Sequence, residues 1–144
     1  MKILKKSEID KGFERSQRTY LCGNLRIAAE SEHIHTDAYE IGITEYKEYT
    51  AEKPHRHTFN DEYNYVIEGR IKVLLLSEKR EEEFGTGDLF VITPNEPYAC
   101  KATAGTRVIF SKVPGGNDKV LERPSADIKR WSASWDAVYG EIEA

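Results

Sequence analysis

The chain has 144 residues, of which 39% are hydrophobic, and a formal net charge of −4. A chain of this length is typically one domain that buries its own core without disulfides or a structural metal. The mildly acidic balance disfavours nucleic acid as a partner, because phosphate binding needs a basic patch. No apolar stretch approaches the roughly 20 residues that span a bilayer, and no signal-like apolar region follows the N-terminus. We therefore expect a cytoplasmic protein without membrane or nucleic-acid partners.

Short apolar segments separated by turn residues fill the middle of the chain, a pattern that favours an antiparallel sandwich or barrel. Residues 38–50 alternate apolar and polar side chains, as half-buried strands do. Residues 62–67 and 71–76 have the composition of two further strands. Gly69 lies between them and predicts a hairpin turn, because glycine accepts the positive φ of such turns.

Two more predicted strands follow the turn at Gly87 and its apolar run. Residues 98–103 and 107–113 flank Gly105, and we expect them to pair with each other. The middle of the chain therefore belongs to the all-β class.

The character of the chain changes after Val113. The stretch Pro114–Asp118 contains two glycines, and we interpret it as a flexible hinge leading out of the β region. A short helix is predicted beyond it. Ser125 is a suitable N-cap, and Ile128, Trp131 and Trp135 follow at helical spacing, so the helix is expected to lay its tryptophans on the strands.

The segment from Pro54 to Glu62 carries the strongest chemical signal. Residues two apart on a strand point to the same face, so His55 and His57 direct both imidazoles into one interior. A turn after His57 brings Glu62 back towards the same volume. Two neutral imidazoles and one carboxylate form the facial triad, which binds Fe(II), Mn(II), Zn(II), Ni(II) or Cu(II) and leaves positions open. The sequence predicts a divalent transition metal held by His55, His57 and Glu62.

The spacing His55-x-His57-x4-Glu62-x6-Gly69 resembles the first motif of the cupin superfamily, roughly Gly-x5-His-x-His-x(3–4)-Glu-x6-Gly. Tyr49 stands where the motif begins with glycine. The resemblance implies a single-domain small cupin, an antiparallel double-stranded β-helix or jelly-roll barrel, here with a short C-terminal helix. On this basis residues 1–37 form an N-terminal arm and edge strands, 38–113 the barrel core, and 114–144 a loop and helix packed on the barrel.

The second cupin motif, roughly Gly-x5-Pro-x-Gly-x2-His-x3-Asn, is degenerate in this chain. Thr93, Asn95 and Tyr98 stand at its proline, glycine and histidine positions. That histidine is normally the fourth metal ligand, so three roles are open to Tyr98. It ligates as a phenolate, it hydrogen-bonds a metal-bound water or the substrate, or it is the acid of a metal-free site with a histidine base. We favour the second role, because three protein ligands already hold many catalytic metals.

Other residues are weaker candidates for the site. Cys100 lies two residues beyond Tyr98 and is expected to face the same interior, as a free and inert thiol. The pair His33 and His35 is interpreted as part of a solvated loop. A further set of basic residues can hold a substrate carboxylate or phosphate: Arg26, Lys47, Arg56 and Arg107.

Fold alone does not specify the activity of a cupin. The first hypothesis is a metal-dependent isomerase, lyase or dioxygenase acting on a small polar molecule such as a carbohydrate or carboxylic acid. The second is a metal-free sugar-nucleotide epimerase or keto-isomerase with a histidine base and Tyr98 as acid. The third is a non-catalytic module that binds a small ligand. By analogy with small cupins, we expect a homodimer.

Overall fold

A computed structural model describes residues 1–25 and 32–140, and strands dominate this part of the chain. Its elements, in chain order, are α1 (Lys6–Phe13), β1 (Arg18–Gly23), β2 (Ile34–His35), β3 (Glu40–Tyr46), β4 (Thr50–His57), β5 (Asp61–Glu68), β6 (Arg70–Leu75), β7 (Arg80–Gly85), β8 (Leu89–Ile92), β9 (Tyr98–Ala102), β10 (Thr106–Val113), β11 (Lys119–Leu121) and α2 (Ala126–Ser132). The all-β class is confirmed.

The strands form two sheets that enclose one core. A six-stranded sheet has the order β2-β1-β3-β10-β5-β8, and a five-stranded sheet has the order β11-β4-β9-β6-β7. Neighbouring strands are antiparallel except for the short β1–β2 pair. Both sheets contribute buried side chains to the core, which contains Tyr46, Val66, Ile71, Val73, Ile92, Tyr98, Cys100, Ala102 and Val108. This arrangement confirms the predicted jelly-roll barrel.

The short links between strands carry the chain from one sheet to the other. β5 lies in the six-stranded sheet and β6 in the five-stranded sheet, so Gly69 turns a corner of the barrel rather than a hairpin. The backbone comes so close to β10 there that a Cβ on Gly69 would lie 2.3 Å from Thr106 Oγ1. β9 and β10 also lie in different sheets. Both hairpin predictions are therefore wrong, because local turn residues are compatible with either kind of link.

The predicted C-terminal helix is confirmed as α2. Ser125 caps it, since its Oγ accepts a hydrogen bond of 3.2 Å from Ile128 N. Ile128 and Trp131 are buried against the outer face of the five-stranded sheet, with Leu74 and Ala99. The helix ends at Ser132, so Trp135 lies beyond the helix. Its ring packs under Lys72 Nζ, 4.3 Å from the ring centroid.

The N-terminal region contains a helix that the apolar pattern does not indicate. α1 carries few apolar residues, but it packs closely against β1, where a Cβ on Gly12 would lie 2.5 Å from Thr19 Cγ2. The second histidine pair also differs from expectation, because Ile34 and His35 form the short strand β2. No helix in the described ranges is long and apolar enough to cross a bilayer.

Candidate functional site

Strand β4 presents three polar side chains to the barrel interior. His55 and His57 are almost fully buried, with exposed fractions of 4% and 1%. Glu52 also faces inward, opposite Cys100, because the register with β9 shifts between Glu52 and His55. Simple alternation would have pointed Glu52 outward. The irregularity at Lys53 and Pro54 therefore adds a carboxylate that the sequence pattern did not predict.

The degenerate second motif still builds the loop that leads to Tyr98. Asn95, at the glycine position, has a positive φ of 64°, a conformation that asparagine tolerates better than most residues. Its backbone N–H donates to His57 O at 2.6 Å, which ties the loop to the histidine strand. Tyr98 then begins β9 opposite His55.

Tyr98 and His55 form a direct hydrogen bond in the interior. His55 Nδ1 lies 2.9 Å from Lys53 O, and a carbonyl only accepts, so Nδ1 carries the proton. Nε2 of the neutral ring therefore accepts from the Tyr98 hydroxyl at 2.9 Å. Burial lowers the pKa of His55 and raises the pKa of Tyr98 well above its ordinary value. The pair consists of a neutral imidazole and an intact phenol.

His57 lies between two carboxylates. Its Nδ1 is 2.7 Å from Asp118 Oδ1, and its Nε2 is 2.8 Å from Glu62 Oε2. Burial lowers the pKa of His57, but the adjacent Glu62 carboxylate, together with Asp118, outweighs it and raises the pKa. Burial likewise opposes ionisation of Glu62, yet His57 lowers the pKa of this carboxyl to about 2. The two flanking carboxylates therefore favour the protonated form of His57.

Asp118 is a second carboxylate of the candidate site that the sequence did not predict. Its Oδ2 accepts from Phe59 N at 2.9 Å and from Asn60 N at 2.8 Å, and its Oδ1 accepts from Asn60 Nδ2 at 2.6 Å. Burial raises the pKa of this carboxyl. The two backbone donors and His57 lower it by more, so the net shift is downward. The glycine-rich stretch predicted as a hinge therefore delivers a buried carboxylate to His57.

A second polar cluster surrounds Glu52. Arg18 Nη2 and the Tyr46 hydroxyl donate to its Oε1 at 2.9 and 3.0 Å, and Cys100 Sγ donates to its Oε2 at 3.2 Å. Burial and the Glu52 charge raise the pKa of Cys100 well above its ordinary value. The thiol thus stays protonated, in keeping with the inert role predicted for it.

One cavity joins these groups. The four predicted site residues His55, His57, Glu62 and Tyr98 all line it, together with the Glu52 cluster. The space between its walls is about 560 Å³ out to the mouth, but water can occupy only about 40 Å³ of it. That free volume suits one or two water molecules. A larger ligand must lie partly in the mouth or displace side chains.

The predicted metal ligands are close together but already bonded to other groups. The Tyr98 hydroxyl occupies His55 Nε2, and Glu62 lies against His57. Within residues 1–25 and 32–140, no three His, Cys, Asp or Glu side chains are arranged so that they could hold a metal ion. The residue types suit a divalent metal, but their present arrangement does not fit one, and the metal stays a prediction.

Of the four basic residues proposed from sequence, the three that the structure describes do not line the cavity. Lys47 Nζ donates to Phe13 O on the surface, Arg56 pairs with Glu122, and Arg107 pairs with Glu45. Arg26 lies outside the described residues. The cations that do line the cavity are Arg18, Lys112 and Lys119.

Comparison with known proteins supports the fold. The family model for the cupin domain matches residues 42–111. No curated protein matches the chain in sequence. Among solved structures, KdgF from a Halomonas species has a TM-score of 0.54 at 20% identity, over 71% of this chain and 83% of its own.

Two further structures share the fold. A double-stranded β-helix protein from Klebsiella pneumoniae has a TM-score of 0.53 at 14% identity, over 62% of this chain and 78% of its own. Pac13, a nucleoside dehydratase from Streptomyces, has a TM-score of 0.53 at 14% identity, over 61% of this chain and 71% of its own. Residues 42–111 of the chain therefore form a cupin domain, with the double-stranded β-helix fold that these structures share.

Proposed function

We propose that this cupin is a metal-independent acid–base enzyme, an isomerase or lyase that moves a proton on a small polar molecule. The observation that carries the proposal is a pair of histidines on one strand, facing one cavity, whose pKa values are shifted in opposite directions. Neighbouring groups whose environments separate their pKa values are the usual signature of a base and an acid. His55 is the base in this scheme and His57 the acid.

His55 becomes available when substrate binds. The Tyr98 hydroxyl transfers its hydrogen bond from His55 Nε2 to a substrate oxygen, which leaves the Nε2 lone pair free. That nitrogen then accepts a proton from the carbon next to a carbonyl, while Tyr98 stabilises the negative charge that develops on the oxygen. The high pKa of Tyr98 keeps it a donor throughout.

His57 completes the reaction. Its imidazolium Nε2–H delivers a proton to a second carbon in an isomerisation, or to a departing hydroxyl in an elimination. Asp118 fixes the ring through Nδ1 and stabilises the charged form, as a buried aspartate does for histidine in other acid–base sites. Pac13 is a nucleoside dehydratase, so a barrel of this fold is compatible with elimination chemistry.

A metal-dependent enzyme is the second candidate, and two observations favour it. Each histidine is anchored through Nδ1, by Lys53 O and by Asp118, which directs both Nε2 atoms inward, as for metal ligands with fixed ring orientation. In addition, Glu62 is close to His57 Nε2 but poorly aligned with it, so this buried nitrogen lacks a well-formed hydrogen bond. Rearrangement of Glu62 and Tyr98 would open the predicted site of His55, His57 and Glu62.

Solvent hydrogen exchange in the presence of EDTA tests the first candidate. We expect the wild-type protein in D₂O to exchange or eliminate a carbon-bound hydrogen in a panel of sugars, sugar acids and keto acids, followed by ¹H NMR. His55→Gln and Tyr98→Phe should reduce the rate by about a hundredfold or more. Tyr39→Phe, a change on an exposed tyrosine, serves as the matched control.

Two results would overturn this assignment. One is a ¹⁵N NMR spectrum at neutral pH in which His57 is neutral like His55. The other is turnover that EDTA abolishes and a divalent metal restores, with near-stoichiometric metal in tag-free wild-type protein and none in His57→Ala. That second pattern would establish the metal-dependent candidate instead.

We propose a homodimer that packs through the outer face of the six-stranded sheet. There β5 and β8 pair Tyr63 with Val91 and Tyr65 with Leu89, and each of these side chains is at least 40% exposed. Exposed apolar patches of this kind mark association surfaces. Light scattering coupled to gel filtration decides the point, and a monomer at micromolar concentration would refute it.

A further inference from the structure

Two lysines flank the contact between His57 and Glu62. On β10, Lys112 is directly opposite Glu62 of β5. On β11, Lys119 is directly opposite His57 of β4. Directly opposed residues of antiparallel strands share a face of their sheet, and both lysines line the cavity. The two lysines therefore neighbour Glu62 and His57, one on each sheet.

Neither ammonium group donates a hydrogen bond to a residue in the described part of the chain. Lys112 Nζ forms an ion pair with Glu40 Oε2 at 3.9 Å, too far for a hydrogen bond, and lies 6.0 Å from the Phe110 ring centroid. The Lys119 ammonium forms no hydrogen bond or ion pair with any residue in the described part of the chain. The third cation of the cavity is different, since Arg18 donates to both Thr44 and Glu52. Both lysines thus keep hydrogen-bond donors for a ligand.

The nearby carboxylates form no hydrogen bond with these lysines. Glu62 lies against His57, and Glu40 comes no closer than 3.9 Å to Lys112. A ligand oxygen with negative charge would fit between the two lysines, because an ammonium group binds carboxylate and phosphate as a point charge. Lys119 is exposed at the rim, so the ligand's charged group can bind there while only its reacting carbon approaches His55 and Tyr98. This placement agrees with the small free volume inside.

We propose that the substrate carries a carboxylate or phosphate group, which Lys112 and Lys119 bind beside the His57–Glu62 pair. The inference rests on the proposed function only for the identity of the reacting groups. Anion binding itself requires the two lysines and no proton transfer, so the two ideas can be tested separately.

The test is a titration followed by NMR of the histidine ring resonances. D-Glucuronate and D-glucose form a pair that differs by the carboxylate, and inorganic phosphate supplies the alternative anion. We expect saturable millimolar binding of at least one anion and none of glucose. Lys119→Gln should weaken that binding about tenfold, and the double variant Lys112→Met/Lys119→Met further. Lys129→Met, on the exposed side of α2, should bind as wild type.

The outcomes separate the two proposals. If neither anion binds the wild-type protein, or if Lys119→Gln and the double variant bind as tightly as wild type, the anion site is wrong. Lys119→Gln changes an exposed residue and keeps the test valid if the double variant does not fold. Tyr98→Phe should retain anion binding while losing hydrogen exchange. If the wild-type protein binds the anion but catalyses no hydrogen exchange, the catalytic scheme is wrong and the lysine site is still supported.

Discussion

Replacing Lys101 with methionine is expected to lower the free energy of unfolding by roughly 3–5 kcal/mol. Lys101 lies on β9 with its side chain fully buried. Its ammonium donates to the carbonyl oxygens of Trp131, Ser134 and Ala137 at 2.8, 2.9 and 2.9 Å. These carbonyls lie at and beyond the end of α2, where a helix leaves its acceptors unpaired. Methionine fills the space but leaves all three carbonyl oxygens without a donor.

The loss should be concentrated in the C-terminal segment. Trp131 also stacks under the ammonium, 4.3 Å from ring centroid to Nζ, so the substitution weakens the attachment of α2 to the barrel. Urea denaturation measures the total effect, and hydrogen exchange should accelerate most in residues 125–140. Lys129→Met, on the exposed surface of the same helix, is the control. A change of less than about 1 kcal/mol would show that water replaces the ammonium at little cost.

Replacing Asp118 with asparagine is expected to cost about 3 kcal/mol near pH 5.5 and to lower the pKa of His57. The amide keeps the shape of the carboxylate but not its charge. Its single acceptor oxygen can serve either Phe59 N and Asn60 N, which now donate to Asp118 Oδ2, or Asn60 Nδ2, which donates to Oδ1, but not both sets. His57 also loses one of the two anions that raise its pKa. The variant is therefore left with buried donors that have no acceptor.

The pH dependence of this effect has a definite sign. The pKa of Asp118 is lowered by folding, so its contribution is present above the ordinary value of about 3.9 and is lost as the pH falls through the folded value. The pKa of His57 is raised, so its contribution is present below about 6.5 and is lost as the pH rises through the folded value. The difference between wild type and Asp118→Asn should therefore be largest between these limits.

Urea denaturation at acidic, intermediate and alkaline pH measures this difference, and NMR titration of the His57 ring gives its pKa. The matched control is Asp61→Asn, which converts a half-buried aspartate at the start of β5 into an amide. A stability difference that does not vary with pH would mean that Asp118 acts through packing alone. An unchanged pKa of His57 would show that Asp118 does not stabilise the protonated form of His57, as the proposed mechanism requires.

Some of the candidate site could be predicted because it is encoded locally. His55 and His57 are two residues apart on one strand, and Tyr98 and Cys100 on another, so alternation alone directs each pair to one face. All four line the same cavity. Lys112 follows Val108 and Phe110 at the same spacing on β10 and could have been found by extending that pattern.

Other parts of the site have no local signal. Asp118 lies 61 residues from His57, in a stretch whose glycines suggest only flexibility. Glu52 faces inward because the register shifts after it, which reverses the phase that alternation predicts. Arg18 reaches the cavity from β1, a strand placed beside β3 by the sheet order. Each depends on contacts between segments distant in sequence.

The sequence by itself determined the strand-rich class, the C-terminal helix and the inward faces of the histidine and tyrosine strands. These properties follow from periodicity and capping, which depend on residues within a few positions of each other. Only the tertiary structure decided which strands pair, because a short turn at Gly69 serves a hairpin and a barrel corner equally well. The same packing placed Asp118 and Glu62 on opposite sides of His57, and thereby gave two similar histidines opposite pKa shifts.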